Sequence, residues 1–268
     1  MSTKFKLGIV VPLRARSTTS SWDKVCSNLE RTLRSLINQS DADFVATVSG
    51  HDCPDFMQGQ DPAFEKQISF TEFTDFPPPM DDSDSAKLYM NYEFDRCRKI
   101  LSGMISLKET SDVTHWYALD ADDLIHPSFV SISKKHANAD AVIIDYGFSY
   151  YEDTDVIHEE NEFSTYCGSC TIMPNRHIEL PDSVLLDNFR ETWFGGIAHN
   201  RMRSTLRERG MDVVVPKERL AMYMRNHGAN LSDMRKRESL WLRTKFKIKS
   251  IVKKPKMLSA VRREFGLE

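Results

Sequence analysis

The sequence has no long hydrophobic segment. The apolar stretch nearest its start, "KLGIVVPL", is too short to span a bilayer, and it runs into Arg14 and Arg16 rather than a small-residue cleavage site. We therefore expect neither a transmembrane helix nor a signal peptide, and we expect a cytoplasmic location. No internal repeat is visible, which argues against a solenoid or propeller.

Cysteines are few among the 268 residues: there are five, an odd number with irregular spacing. This pattern argues against a disulfide-stapled secreted domain and favours reduced thiols. Cys167 and Cys170 form a C-x-x-C pair, but a structural zinc site needs two more ligands, and none are nearby in sequence. The pair by itself does not predict zinc.

A strong charge of either sign is also missing, since the formal net charge is -3. The chain contains no recognised RNA- or DNA-binding module, so we expect no nucleic acid partner. With 40% hydrophobic residues, it has enough apolar material for one enzyme-sized unit.

Strands and helices alternate through the first half. "KLGIVVPL" predicts a central strand that Pro12 stops, and residues 22–39 carry apolar side chains at helical spacing behind Ser21, a favourable N-cap. A long helix is predicted in "SAKLYMNYEFDRCRKILSGMISLKE", and further strands in "DFVATVSG", "QISFTEF" and "THWYALDADD". This order predicts an α/β fold with a mostly parallel sheet and a ligand site beyond the carboxyl ends of its strands.

Three carboxylates directly follow the strand in "THWYALDADD". Asp120 and Asp122 are two positions apart, so their side chains fall on the same side, whereas Asp123 points elsewhere. Paired carboxylates repel each other unless a cation lies between them, and their hard oxygens suit Mg²⁺ or Mn²⁺ bridged to substrate phosphates. A solvated acidic turn, or a helix that begins at Asp123, is the ordinary alternative.

These features resemble the GT-A glycosyltransferases, particularly the family-2-type enzymes that use nucleotide-sugar donors, over residues 6–232. The resemblance implies a Rossmann-like αβα sandwich with a nucleotide-sugar-binding half at 1–123 and an acceptor-binding half at 124–232. It also implies transfer of a sugar from a nucleoside-diphosphate donor to a glycan acceptor, with Mn²⁺ or Mg²⁺ as cofactor. UDP is the expected nucleotide because it is frequent in the family, and surface polysaccharide biosynthesis is an expected setting.

The same resemblance assigns residues to the donor. It implies that nucleotide contacts come from the end of the first strand and the loop after it, from the end of the second strand, from the helix before the D-x-D and from the D-x-D itself. In that order the residues are Pro12 and Arg14, then Asp52, Asp95 and Asp120. It makes Asp122 the direct metal ligand, and His227 in "YMRNHGANLS" a ligand of the metal or a contact of the diphosphate. A plain turn role stays open for Asp52, and a surface charge pair for Asp95 with Arg96.

The sequence departs from the family at the general base. Many inverting members carry Glu-Asp before a glycine late in the domain, and counting back from Gly210 places His199 where the acid would fall. Imidazole accepts a proton near neutral pH, so His199 is the candidate base, although a structural histidine remains an alternative. If the alignment slips, Glu191 and Asp187 take its place, beside "WFGG", a composition suited to stacking a sugar ring.

The last segment, residues 233–268, is basic and amphipathic. It interleaves aromatic and aliphatic residues with lysines, which predicts a helical tail attracted to anionic lipid headgroups at the inner face of a membrane. A helix that packs one face back on the domain is an equal alternative.

Two other functions remain open. A nucleotidyltransferase would also place carboxylate-bound metal at strand ends, but "VPLRARSTTSSW" lacks the Gly-rich phosphate loop that such an enzyme normally has. A non-catalytic glycan-binding or scaffold protein would keep the fold without the base, and the histidine at position 199 keeps that reading open.

Overall fold

A computed structural model describes residues 4–58, 66–80, 82–225 and 256–267. The strands are β1 (Leu7–Pro12), β2 (Phe44–Gly50), β3 (Ile68–Glu72), β4 (His115–Ala118), β5 (Leu124–Ile125), β6 (Ala141–Ile143), β7 (Gly147–Tyr151), β8 (Val156–Glu160), β9 (Thr171–Pro174), β10 (Val213–Val214) and β11 (Ala221–Arg225). The helices are α1 (Trp22–Ile37), α2 (Ser85–Thr110), α3 (Phe129–Lys135), α4 (Trp193–Gly196), α5 (Met202–Glu208) and α6 (Lys256–Glu264).

A seven-stranded sheet in the order β10-β6-β9-β4-β1-β2-β3 forms the centre of the molecule. The strands β3, β2, β1 and β4 run parallel, as do β10 and β6, while β9 is antiparallel to both of its neighbours. The prediction of an α/β fold with a mostly parallel sheet is confirmed. Strands from both 1–123 and 124–232 enter this sheet, so the two halves share one core.

Helix α1 covers one face of the sheet. Ser21 caps it by accepting a hydrogen bond from the backbone N–H of Lys24, as its sequence position predicts. Val25, Leu29 and Leu33 are buried against β1 and β2 in the larger apolar cluster, because 3.6-residue periodicity places them on one side.

Helix α2 covers the opposite face. Asp84 caps its first turn by accepting from the N–H groups of Ala86 and Lys87. Ile100, Met104 and other apolar residues of this helix pack with Val10 and Trp116 in a second cluster, to which α5 also contributes. Helices therefore flank the sheet on both sides, and the carboxyl ends of β1 and β4 open at one edge between α1 and α2.

A second sheet of four strands, in the order β5-β11-β7-β8, was not predicted. Val261 of α6 and Phe265, the residue directly after this helix, are buried against this sheet in a cluster with Phe148 and Met222. At α6 the tail therefore packs one face on the domain, which is one of the two alternatives that the sequence left open. Residues 226–255, with His227 and most of the basic segment, lie outside the described residues.

None of the described helices combines the length and the hydropathy that a bilayer crossing requires.

Candidate active site

A cavity of about 270 Å³ opens at the carboxyl ends of β1 and β4. Pro12 ends β1 and Arg14 follows that strand, and both line the cavity wall. Asp120 and Asp122 follow β4, and α2 forms a long side of the cavity. This is the edge at which ligands bind in open parallel sheets. The structure thus brings six of the predicted site residues to one place, because Asp95 and His199 also line this cavity.

The three carboxylates after β4 have separate environments. Asp120 and Asp122 line the cavity, whereas Asp123 is fully buried behind it. The Asp123 carboxyl accepts hydrogen bonds from Ser169 Oγ at 2.7 Å, Cys167 Sγ at 3.0 Å and the N–H of Met224 at 3.2 Å. Burial, followed by the charges of Asp122 and Asp120, raises the pKa of Asp123 well above its usual value.

The segment 167–169 holds the acidic motif in place. Ser169 Oγ donates to Asp123 and accepts from the N–H of Asp120 at 2.9 Å, so one hydroxyl connects two of the acids. Burial raises the pKa of the Cys167 thiol, which therefore stays protonated and can donate. Cys167 thus supports Asp123, whereas Cys170 Sγ lies 3.5 Å from Thr171 Oγ1.

Arg96, on α2, is the counter-ion of Asp120. Its Nε donates to Asp120 Oδ1 at 2.7 Å, and its Nη1 lies 3.5 Å from Glu93 Oε1. Burial lowers the pKa of Arg96, but the charges of Asp120 and Glu93 outweigh burial and raise the pKa. A Cβ on Gly168 would lie 3.0 Å from Arg96 Nη2, so the guanidinium fits against a backbone that has no side chain at this point.

Asp95 and Lys99, which are one helical turn apart on α2, form a buried ion pair. Lys99 Nζ donates to Asp95 Oδ2 at 2.6 Å and to the carbonyl oxygen of Leu13 at 2.9 Å, and only 1% of Lys99 is exposed. Burial lowers the pKa of Lys99, and the charge of Asp95 opposes that shift. This pair ties α2 to the first residue after β1, and Asp95 is thereby engaged with Lys99 at the cavity wall.

The loops after β1 and β2 are joined beside the cavity. Asp52 Oδ2 accepts from the N–H of Arg16 at 2.8 Å, which is a structural contact between the two loops. Arg14 donates to Thr18, and its guanidinium lies 4.9 Å from the ring centre of Tyr92. The contact with Arg16 holds Asp52 beside the loop that follows β1, but Asp52 does not line the cavity.

His199 reaches the same cavity from the chain segment before α5. Its Nδ1 lies 2.7 Å from the carbonyl oxygen of Ser164. In the neutral tautomer that donates there, Nε2 carries the lone pair that accepts a proton. Asp145 supports this segment, since it accepts from the Ser164 hydroxyl and from Arg203 Nη1, the latter at 2.7 Å.

The other two candidate bases lie elsewhere. Glu191 lines a separate cavity of about 260 Å³, which also contains Trp193 and Arg209. Asp187 is exposed and pairs with Arg190 at 3.1 Å. Of the three candidates for the base, the structure brings only His199 to the cavity that contains Asp120 and Asp122.

Hard oxygen ligands for a divalent cation come from Asp120 and Asp122. Among the described residues, no group of three or more His, Cys, Asp or Glu side chains is arranged to hold a metal by itself. Mg²⁺ commonly binds through one or two carboxylates completed by substrate phosphates and water. The two carboxylates fit a cation of this kind in company with a diphosphate, and His227 lies outside the described residues.

Sequence reasoning did not find the supporting contacts of the motif. The sequence suggests a nucleotide contact or a surface charge pair with Asp95 for Arg96, and it does not predict the pairing with Asp120. No pattern links Ser169 to Asp123. The one local signal is the cluster of small residues in "CGSC", directly before the apolar run "TIMP". Ser169 and its partner Asp123 are 46 residues apart in the sequence, so spacing alone does not reveal the contact.

Comparison with solved structures returned low similarity. The 1–349 fragment of S. aureus TarS in complex with UDP-GlcNAc is 11% identical, with 85% of this chain and 61% of that chain covered and a TM-score of 0.49. The same fragment in complex with UDP gives 11% identity, 83% and 61% coverage, and a TM-score of 0.46. The inositol-1-phosphate CTP transferase from T. maritima gives 14% identity, 88% and 96% coverage, and a TM-score of 0.43.

No family model and no curated protein matches the chain. The chain spans about three fifths of the TarS fragment, or 61% of its length. Because each of these TM-scores is below 0.5, the likenesses do not assign an activity to the chain.

Proposed function

We propose that this chain is a glycosyltransferase that moves a sugar from a nucleoside-diphosphate donor, with UDP as the expected nucleotide, to a saccharide acceptor. The observation that carries the proposal is the cavity at the carboxyl ends of β1 and β4, where the D-x-D carboxylates, three cationic side chains and His199 meet. Transfer from a diphosphate needs positive charge at the leaving group and a base at the acceptor. His199 is the candidate base in this cavity, and a bound divalent cation would supply the positive charge.

The charge balance supports a divalent cation as part of the donor site. Four carboxylates and three cationic side chains line the cavity, which gives a formal charge of -1 when His199 is not counted. The carboxylates are Glu93, Asp95, Asp120 and Asp122, and the cations are Arg14, Arg96 and Lys99. A diphosphate adds at least two negative charges to this balance. Mn²⁺ or Mg²⁺ held by Asp120 and Asp122 would stabilise the charge that develops on the leaving diphosphate.

His199 suits the acceptor side of the reaction. The contact from Nδ1 to the Ser164 carbonyl fixes the ring and leaves Nε2 to take the proton of an attacking hydroxyl. Tyr166 and Tyr223 line the same cavity, and Tyr166 is 47% exposed, so its ring is accessible to a sugar face. Aromatic rings of this kind bind the apolar faces of saccharides.

Donor binding is the first test of the proposal. We expect Mn²⁺ together with UDP or a UDP-sugar to raise the melting temperature of the wild type by mass action. Asp122→Asn should remove this metal-dependent shift, and Asp120→Asn should weaken it less. The matched control is Asp112→Asn, which makes the same charge change at an exposed carboxylate that pairs with Lys4 and precedes β4, whereas the motif follows that strand. An unchanged shift in Asp122→Asn would contradict the metal assignment.

Product analysis separates the three classes of function. A glycosyltransferase releases nucleoside diphosphate from the nucleotide sugar in the presence of Mn²⁺ and a saccharide. A nucleotidyltransferase instead releases pyrophosphate when it is given a nucleoside triphosphate and a sugar phosphate. A glycan-binding scaffold binds saccharides and releases neither product.

A further inference from the structure

The Asp120 carboxylate already has a cationic partner in the protein itself. Arg96 Nε donates to Oδ1 at 2.7 Å, and both side chains are largely shielded from solvent, with 17% of Arg96 and 27% of Asp120 exposed. A charge-assisted contact in such a setting is stronger than one on an open surface. Asp120 is therefore neutralised before any ligand arrives.

Three neighbours define the position of the Arg96 guanidinium. Asp120 lies on one side, Glu93 on a second at 3.5 Å, and the backbone of Gly168 on a third, where a Cβ would come within 3.0 Å of Nη2 and 3.6 Å of Asp120 Oδ2. The slot is thus shaped for a guanidinium beside Asp120. Displacing Arg96 would break contacts with two carboxylates.

A metal ion that approaches Asp120 meets this guanidinium as a like charge. Repulsion between two cations a few ångströms apart lowers the affinity of the site for a lone divalent ion. A nucleoside diphosphate changes the balance, because its oxygens add metal ligands and its negative charge offsets both the metal and Arg96. Metal and diphosphate should consequently each improve the binding of the other.

We propose that Arg96 makes divalent-metal binding conditional on the donor, so that the cation enters the site together with the nucleoside diphosphate. The inference rests on the proposed function, since it assumes a diphosphate donor in this cavity. It assigns to Arg96 a positioning role: the residue balances Asp120 in the absence of ligand and prevents the motif from holding metal alone.

The test measures Mn²⁺ binding by electron paramagnetic resonance, with Mn²⁺ alone and with Mn²⁺ plus UDP, GDP, ADP or CDP. For the wild type we expect weak binding of Mn²⁺ alone and an affinity at least about tenfold higher with a fitting nucleotide, in the range usual for coupled sites. Arg96→Gln should raise the nucleotide-free affinity by roughly tenfold, because one unit of opposing charge beside the metal is lost. The gain from the nucleotide should shrink by the same factor.

Two further variants serve as controls. Arg96→Lys keeps the charge and should keep the low nucleotide-free affinity. Arg98→Gln removes the same charge from α2, but Arg98 donates to the Leu186 carbonyl and lies over the Phe76 ring, so Mn²⁺ binding should not change. Circular dichroism checks that each variant is folded, and the wild-type measurement tests the coupling even if Arg96→Gln does not fold.

The outcomes separate this inference from the proposed function. Tight binding of Mn²⁺ alone to the wild type, or unchanged nucleotide-free affinity in a folded Arg96→Gln, overturns the role of Arg96 and leaves the donor site standing. If no nucleoside diphosphate binds the wild type with Mn²⁺, the proposed function fails and the inference fails with it.

Discussion

Asp120, Asp122 and Asp123 lie within four positions of one another, yet the structure gives each a different environment. Asp120 pairs with Arg96, Asp122 lines the cavity, and Asp123 is buried under three hydrogen-bond donors. Three like charges at one strand end would destabilise it, and this arrangement separates them into a paired, an accessible and a buried carboxyl group. The chemistry of the motif thus depends on the neighbours of each acid.

His199 carries the prediction that belongs to single residues. His199→Gln should lower transfer by about 10²–10⁴-fold, the usual contribution of a general base, with donor affinity nearly unchanged. Initial-rate kinetics measures the loss of transfer, and a donor titration measures the affinity.

Glu191→Gln and Asp187→Asn are the matched comparisons for His199. Glu191 lies in the separate cavity and Asp187 pairs with Arg190, so both variants should transfer within about twofold of the wild type. Near-normal transfer by His199→Gln, together with a large loss in either comparison variant, would move the base to that residue.

Among the elements, α2 contributes most to the candidate site. Asp95, Arg96 and Lys99 all lie on this helix, and Lys99 and Arg96 connect it to the ends of β1 and β4. The helix can lie this close to the sheet because Gly103 faces β1 and β2 without a side chain. A Cβ there would lie 2.5 Å from Val10 Cγ1 and 3.0 Å from Thr47 Cγ2.

Gly103→Ala tests this close packing. In an exposed helix the change would stabilise by about 1 kcal/mol, but here overpacking costs about 1–3 kcal/mol, so we expect a net loss in the free energy of unfolding. Because Val10 is β-branched and stiff, it cannot move aside cheaply. Adding Val10→Ala should recover part of the loss. Denaturant unfolding of both single variants and the double variant measures the coupling, and strictly additive effects would show that the contact is unimportant.

At the scale of the whole molecule, two sheets meet behind the acidic motif. Asp123 follows β4 of the large sheet and accepts a hydrogen bond from the N–H of Met224 in β11 of the small one. Val261 of α6 and Phe265, directly after it, pack on the small sheet. Removing everything after residue 233 would therefore strip a buried face as well as the basic segment. A test of membrane binding has to leave α6 in place.

Lysine substitution in the basic segment meets that requirement. A variant with five of the seven lysines in residues 233–268 changed to glutamine should lose sedimentation with phosphatidylglycerol vesicles at low salt, since each lysine contributes about 1 kcal/mol near an anionic surface. The five positions are Lys245, Lys247, Lys249, Lys253 and Lys254. Donor binding should not change, and phosphatidylcholine vesicles are the control surface. If the wild type ignores anionic vesicles, the membrane prediction is wrong.

The amino-acid sequence by itself determined the local elements. Apolar spacing and the Ser21 cap predicted a helix over 22–39, observed as Trp22–Ile37, and β-branched runs predicted β1 to β4. These succeed because helical and extended periodicities are set by neighbours a few residues apart. The sheet rule then placed Asp120 and Asp122 at a ligand-binding edge. The family resemblance stays a prediction.

Only the tertiary structure decided how the site is held together. Arg96 reaches Asp120 across 24 residues, Cys167 reaches Asp123 across 44, and Met224 reaches the same carboxyl across 101. Contacts at such separations depend on how helices and sheets pack, and no local pattern encodes them. For the same reason, only the fold distinguishes the three candidate bases. His199 lies in the cavity with the D-x-D carboxylates, whereas Glu191 and Asp187 lie elsewhere.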